Sequence, residues 1–189
     1  EKRASMVQEN QRITLTKRLL KEALLRLLRT STVDKVSITQ LCSEASVNRG
    51  TFYRHYEYPR DVLLDIEKDF LEYMSKQFDY AVSPTDKQQY FENMFGFMQE
   101  HADLIKIFIK NASDDDFPKM FEKLYSHNFL KGRQNHISND FDEDSRFLLT
   151  SFYAGGIYFF LKFWLFHDIE KTPKELAALF VEISNKDFI

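Results

Sequence analysis

The chain has 189 residues, enough for one or two small domains with a substantial core, and a net charge of −3. Five Gly and four Pro among long amphipathic stretches favour an all-α protein, and 19 Phe and nine Tyr form a heavy aromatic load. The single Cys excludes an internal disulfide and suits a reducing cytoplasm, the location we expect. The charged residues Glu1, Lys2 and Arg3 at the start are not those of an apolar signal segment.

Charge is distributed unevenly along the chain. Residues 1–60 contain 12 Lys or Arg and 6 Asp or Glu, a balance of +6, whereas residues 61–189 contain 14 and 23, a balance of −9. A basic head on an acidic body is typical of a nucleic-acid-binding protein with a separate regulatory part. The alternative is that charge merely scatters unevenly between helices.

The first predicted helix covers residues 16–29, after polar residues 1–13 that we expect to fray. Leu20, Leu24 and Leu28 belong to a broad apolar stripe that can pack on a neighbouring element. The basic residues of this helix are expected to project outward; they are Lys17, Arg18, Lys21, Arg26 and Arg29.

The next stretch predicts two short helices, residues 37–45 and 49–56, joined by a tight corner at residues 46–48. Its sequence is S-I-T-Q-L-C-S-E-A-S-V-N-R-G-T-F-Y-R-H-Y. Leu41 and Cys42 lie on the apolar face of the first helix, and Cys42 is expected to be a small core residue. Asn48 is a good N-cap for the second helix, which turns Phe52 and Tyr56 inward, four residues apart.

The outward face of the second helix is rich in hydrogen-bond donors. A short helix of this kind fits the major groove of DNA, where side chains read base edges and hold phosphates. Tyr53 and His55 are expected to hold phosphates, with Asn48 beside them at the helix start. The candidates for base edges or nearby phosphates are Thr39, Gln40, Arg49, Gly50, Thr51 and Arg54. The alternative is a solvated polar face.

Residues 16–63 resemble the DNA-binding domain of the TetR family of transcriptional regulators, most specifically in R-G-T-F-Y-R-H-Y. The resemblance implies a helix-turn-helix head at residues 1–60 and a helical ligand-binding and dimerisation domain at residues 61–189. Two positions depart from the family pattern. Ser46 stands where the family usually has Gly, which is tolerable if its dihedrals are ordinary. Pro59 stands where the family tends to have Lys, so Arg60 is the candidate for that phosphate contact.

Further helices are predicted after the head. A long one runs from Arg60 to about Tyr80, and others cover residues 86–100, 119–136 and 173–186. Residues 102–111 form a short apolar segment. The acidic run at residues 114–116 predicts a loop. A metal site is not expected there, because three consecutive carboxylates cannot all converge on one metal ion without help. The four His of the body lack ligand spacing and a Cys partner, so no metal site is expected.

Residues 147–166 form the most apolar segment and have the length of a membrane span. Lys162 within it and the absence of basic flanks favour instead a helix buried on several sides, with Gly155 and Gly156 permitting close approach of another helix. The segment resembles a TetR-family C-terminal domain, which implies a homodimer through the last two helices. The interface residues implied are Phe152, Gly155, Gly156, Phe159, Phe160, Phe163, Leu176, Leu179 and Phe180.

Aromatic residues of the body are candidates for enclosing a small-molecule effector, since ligand pockets are largely apolar. The candidates are Phe91, Phe95, Phe108, Phe121, Tyr125, Phe129, Tyr153 and Trp164. The alternative is that these aromatics are plain core. The resemblance to the family suggests a ligand but not its identity.

No Gly-rich phosphate loop, nucleophile elbow or pair of catalytic carboxylates is recognisable, so neither an enzyme nor a cofactor is predicted. The leading hypothesis is a homodimeric regulator that binds double-stranded DNA at an inverted-repeat operator, a repressor released by a small molecule. An activator or co-regulator that responds to a protein partner is one alternative. A helical protein–protein adaptor without DNA binding is another.

Overall fold

The computed structural model describes residues 2–78, 86–112, 142–167 and 169–185, with the backbone alone for residues 2–10 and for several positions after residue 142. All regular structure within these ranges is helical, as the sequence predicted. The α-helices are α1 (Lys2–Leu28), α2 (Ile38–Ala45), α3 (Arg49–Phe52), α4 (Pro59–Gln77), α5 (Lys87–Glu100), α6 (Ala102–Asn111), α7 (Glu143–Phe166) and α8 (Pro173–Asn185). The helix predicted at residues 119–136 and the acidic run at residues 114–116 lie outside the described residues.

The chain divides into two compact units, residues 1–72 and 73–189, and α4 crosses the division. The first half of α4 contributes Val62, Leu63 and Ile66 to buried positions. These residues recur at helical spacing and form one apolar face of α4. The domain boundary between residues 60 and 61 stays a prediction.

Helix α1 begins at Lys2, well before the predicted start near Thr16. Residues 2–13 contain no Gly or Pro and are rich in Lys, Arg, Gln and Glu, which favour helix. They carry no sustained apolar stripe, and the sequence pattern that revealed residues 16–29 depends on such a stripe. Intrinsic propensity therefore extends the helix where burial gave no signal.

The core of the first unit is built from the apolar faces of α1, α2 and α3. Its fully buried side chains include Leu20, Leu24, Leu28, Leu41 and Phe52. Cys42 is 4% exposed, and burial raises the pKa of its thiol. Cys42 is therefore a core residue, as predicted.

The second unit contains an aromatic core between α5, α7 and α8. Gln88 at the start of α5 donates a hydrogen bond from Nε2 to the carbonyl oxygen of Lys174 at 3.1 Å, which joins α5 to α8. Asp142 caps α7 by accepting from the amide of Ser145 at 2.8 Å. Such side-chain caps satisfy amides that the first helical turn leaves without partners.

Helix α7 departs from the expectation that it is buried on several sides. Leu161 and Trp164 are buried, but Phe152 on another face is 65% exposed. None of the helices in the described ranges has the length and hydropathy of a membrane span.

Candidate functional site

Two side-chain caps fix the starts of α2 and α3. The Ser37 hydroxyl oxygen accepts a hydrogen bond from the amide of Gln40 at 3.1 Å. The Asn48 amide oxygen accepts from the amide of Thr51 at 2.7 Å. The predicted cap at Asn48 is thus present, and the same oxygen is committed to holding α3. The first turn of each helix is therefore held by the side chain of the residue that directly precedes it.

The corner between α2 and α3 requires a left-handed residue. Ser46 has φ 54° and ψ 39°, and its amide donates to the carbonyl oxygens of Cys42 and Ser43. The condition under which Ser46 is tolerable, ordinary dihedrals, is therefore not met. The family usually has Gly at this position because only Gly adopts this conformation without a steric penalty.

Helix α3 is shorter than the predicted 49–56 and ends at Phe52. A turn continues it, because the amides of His55 and Tyr56 donate to the Phe52 carbonyl oxygen at 2.9 and 3.0 Å. Phe52 and Tyr56 are 0% and 7% exposed, so the predicted inward pair is buried. We call residues 49–56 the recognition segment.

The predicted contact residues share the outer surface of this helix pair. Arg49, Gly50, Tyr53 and Arg54 are exposed, and Thr51 and His55 are half-buried. On α2, the candidates Thr39 and Gln40 are also exposed. The structure therefore places every predicted contact of α2 and the recognition segment where a ligand can reach it.

Four of the basic side chains of α1 that were expected to project outward contact carboxylates, and Lys21 is the most buried of the four. Lys21 is 17% exposed in its side chain and contacts Asp65 at 3.0 Å and Asp69 at 2.7 Å. Lys17 contacts Asp65 at 3.3 Å. Arg18 lies 3.8 Å from Glu22, and Arg26 lies 2.6 Å from Glu44.

The recognition segment keeps its cationic charge. Arg49 and Arg54 form no ion pair with any residue that the structure describes. The Arg49 guanidinium instead reaches the Tyr53 hydroxyl at 3.5 Å. Arg49 and Arg54 therefore remain available to an anionic ligand, whereas the basic residues of α1 between residues 17 and 26 contact carboxylates.

Arg60 at the start of α4 has an acidic neighbour. Its guanidinium contacts a carboxylate oxygen of Asp34 at 3.0 Å, and the Asp34 side chain is 74% exposed. A phosphate at this position competes with Asp34 for Arg60. Exposed ion pairs contribute about 0–1 kcal/mol, so such an exchange is feasible.

An open groove of about 500 Å³ adjoins the recognition segment, lined by residues 53–57 and Asp61. Asp61 accepts hydrogen bonds from the amides of Glu57 and Tyr58, at 2.9 and 2.8 Å, and so fixes the turn into α4. Tyr58 is 57% exposed and was not predicted as a contact residue. Its place beside Tyr53 follows from this turn, which helical periodicity does not describe.

The effector-pocket candidates that the structure describes are packed together. Phe91, Phe95, Phe108 and Trp164 are each at most 7% exposed. The ring of Phe95 lies 6.0 Å from that of Trp164 between centroids, in edge-to-face geometry. These four residues form core contacts in this structure. The side chains of Phe121, Tyr125, Phe129 and Tyr153 lie outside the described residues.

An exposed apolar face runs along α7. Its members recur at helical spacings and are 46% to 67% exposed; they are Leu148, Phe152, Phe159, Phe163 and Phe166. Gly155 falls on the same stripe, and a Cβ at Gly155 or Gly156 would meet no atom of the described residues within 4 Å. Leu179 and Ile183 on α8 are also exposed, at 37% and 44%.

Three of the predicted interface residues contact their own subunit. Leu176 is 2% exposed, and the rings of Phe160 and Phe180 each lie within 6.0 Å of Phe95 between centroids. Phe160 and Phe180 are half-buried in the single chain. Their place at the dimer interface stays a prediction.

The capped helix pair, its buried inward residues and its cationic outer surface define a helix-turn-helix module. Residues 85–186 match the family model described as a transcriptional regulator C-terminal region. The chain belongs to the TetR family of transcriptional regulators.

Comparison with known proteins agrees with this assignment. The chain is similar to a TetR transcriptional regulator from Streptococcus agalactiae 2603V, with 22% identity, a TM-score of 0.74 and coverage of 96% of this chain and 99% of that one. The dihydroxyacetone kinase operon activator DhaS has a TM-score of 0.57 at 12% identity, covering 89% and 93%. The uncharacterized HTH-type transcriptional regulator YxbF of Bacillus subtilis (strain 168) is 23% identical over 176 residues. That alignment covers 89% of this chain but 45% of YxbF.

Proposed function

We propose that the protein is a dimeric transcriptional regulator that inserts the recognition segment into the DNA major groove. The observation that carries this proposal is the distribution of paired and unpaired cations. The basic residues of α1 between residues 17 and 26 contact carboxylates, whereas Arg49 and Arg54 have no acidic partner in the described chain. Arginines without an acidic partner on this exposed recognition segment are suited to base edges and phosphates.

Each predicted contact has a role that fits its surroundings. Tyr53 and His55 hold phosphates, and Arg49, Thr51 and Arg54 contact base edges or the nearest phosphates. Thr39 and Gln40 act beside them from α2. Because Gly50 has no side chain, the backbone at this position can approach the DNA closely. Asn48 acts through its cap on α3, because its amide oxygen already accepts from Thr51.

A binding assay on the full chain tests the DNA-binding proposal. Genomic fragments that the protein enriches supply the probe, and fluorescence anisotropy at several salt concentrations measures affinity. Arg54→Ala is expected to weaken binding and to reduce the salt slope by about 0.9 for each phosphate that the arginine neutralises in the wild type. The matched control is Arg26→Ala, which removes an arginine paired with Glu44.

The control should bind as the wild type does. Combined replacement of Tyr53 and His55 by Ala should weaken binding to every DNA sequence alike and leave the dimer folded. Unchanged affinity in that double variant contradicts the assignment of the interface.

We further propose that the exposed face of α7, with Leu179 and Ile183 of α8, binds a second copy of the chain. A continuous stripe of phenylalanines is an unfavourable surface to leave in water, and the open space above Gly155 and Gly156 admits a second helix closely. A two-fold dimer would place two recognition segments about one DNA turn apart, roughly 34–36 Å. The operator would then be an inverted repeat.

The dimer proposal is tested by sedimentation velocity at micromolar concentration. Phe159→Glu places a charge in the centre of the stripe and should give a folded monomer with reduced operator affinity. Leu64→Glu is the control, since Leu64 is comparably exposed, at 46% against 53%, but lies in the first unit. A Phe159→Glu variant that stays dimeric contradicts this interface.

We propose repression relieved by a small apolar effector as the mode of regulation, supported by the aromatic content of the second unit. The name of DhaS, an operon activator, supports activation as the alternative. Trp164 is the single Trp and lies in this aromatic cluster, so its fluorescence reports ligand binding there. A ligand that changes this fluorescence should also change operator affinity, and the direction of that change distinguishes the two modes.

A further inference from the structure

A cluster of polar side chains connects the recognition segment to two other helices of the first unit. The Tyr56 hydroxyl donates to a carboxylate oxygen of Asp65 on α4 at 2.6 Å. The same carboxylate contacts Lys21 at 3.0 Å and Lys17 at 3.3 Å, both on α1. One carboxylate on α4 therefore holds groups from two other parts of the chain, the recognition segment and α1, and Lys17 is 48 residues away in sequence.

The geometry of this cluster is that of strong, specific contacts. A distance of 2.6 Å is typical of a hydroxyl that donates to an ionised carboxylate. The Lys17 ammonium also lies 5.2 Å from the centroid of the Tyr56 ring, within the range of a cation–π contact. Lys21 extends the cluster by one helical turn along α4 through Asp69 at 2.7 Å.

Tyr56 is well placed to transmit these contacts to the proposed DNA-binding surface. It is the last residue of the recognition segment and directly follows Arg54 and His55. Its amide donates to the Phe52 carbonyl oxygen, so its position is coupled to the end of α3. Apolar packing of Phe52 holds the segment in the core but does not fix its rotation, because apolar contacts are not directional.

We propose that Asp65 is a positioning residue for DNA recognition, which sets the orientation of the recognition segment through the Tyr56 hydroxyl. The Asp65 carboxylate does not contact DNA; it acts through Tyr56, and Lys17 and Lys21 hold it in place. Breaking the contact with Tyr56 leaves the unit folded but lets the segment change its orientation in the groove. Base contacts depend on that orientation more strongly than phosphate contacts do. This inference rests on the proposed DNA-binding function.

The test measures the affinity of the full chain for an enriched genomic fragment and for a scrambled duplex of the same length. Tyr56→Phe removes the hydroxyl and keeps the ring, so it is the principal variant. We expect at least a fivefold loss of affinity for the enriched fragment, which is the smallest loss expected when one base contact is removed. The affinity for the scrambled duplex should change less than twofold. The control is Tyr90→Phe, which removes a tyrosine hydroxyl in the second unit.

Asp65→Asn and the variant that combines it with Tyr56→Phe complete a double-mutant cycle. If Asp65 acts through Tyr56, adding Tyr56→Phe to Asp65→Asn produces no further loss of selectivity. Binding is measured at a temperature where circular dichroism shows each variant fully folded; if Asp65→Asn does not fold, Tyr56→Phe alone decides.

Three outcomes overturn the inference. Tyr56→Phe binds both duplexes as the wild type does, or it weakens both equally, or the two substitutions have additive effects. A wild-type chain that binds no DNA fragment contradicts the proposed function and this inference with it. A wild type that binds selectively beside an unaffected Tyr56→Phe contradicts the inference alone.

Discussion

Protonation of Asp65 should destabilise the first unit at low pH. Burial alone would raise the pKa of this carboxyl, but hydrogen bonds from Tyr56, Lys21 and Lys17 outweigh burial and lower the pKa from 3.8 to about 2. At roughly 1.4 kcal/mol per pH unit, this difference corresponds to about 2 kcal/mol of folding free energy. Because the pKa is lower in the folded state, this stabilisation is present above about pH 4. It is lost as the pH falls from about 4 to about 2.

Asp65→Asn isolates this contribution from the other carboxyl groups. Urea unfolding followed by circular dichroism between pH 6 and pH 2.5 should show a wild-type stability that declines more steeply with acid than that of the variant. Trp164 fluorescence serves as an internal control, because the single Trp reports the second unit. Parallel pH dependences in the wild type and Asp65→Asn would refute the electrostatic reasoning.

Two other substitutions test the corner and the start of α4. Ser46→Gly should raise the free energy of unfolding by about 0–1.5 kcal/mol. The substitution relieves the steric penalty of a left-handed conformation, but it also adds chain entropy to the unfolded state. A variant that urea unfolding shows to be less stable than the wild type would contradict this. Asp34→Asn should strengthen DNA binding up to about fivefold by releasing Arg60, and it should have no effect when Arg60 is replaced by Gln. Fluorescence anisotropy on the two single variants and the double variant measures this. An equal gain with Arg60 and with Gln at position 60 would indicate that Asp34 simply repels DNA.

Helical periodicity predicted the local architecture of the first unit well. The apolar spacing in residues 37–56 identified both short helices, and Phe52 and Tyr56 are buried as that spacing requires. The Asn48 cap was equally predictable, because a capping side chain acts on an amide only three residues away. Features that depend on neighbours in sequence were thus accessible from the sequence alone.

Features that depend on distant residues were not accessible. Lys17 and Asp65 are 48 residues apart, and no local pattern indicates that Asp65 accepts from Lys17 and Tyr56 together. The resemblance to the family implied that Phe160 and Phe180 lie at the dimer interface, and no local pattern indicated that their rings pack beside Phe95 in the same chain. Each of these features concerns which partner a side chain meets and not whether the helix forms.

The same distinction governs the electrostatics of DNA recognition. A count of basic residues treats Lys21 and Arg54 as equivalent, yet Lys21 already contacts Asp65 and Asp69. A cation contributes to the salt dependence of DNA binding only if it neutralises a phosphate, and Lys21 would have to leave two carboxylates to do so. Arg54 has no ion pair in the described chain to break. The carboxylates of α4 therefore hold Lys17 and Lys21 of α1, and these lysines support the recognition segment that we propose contacts DNA.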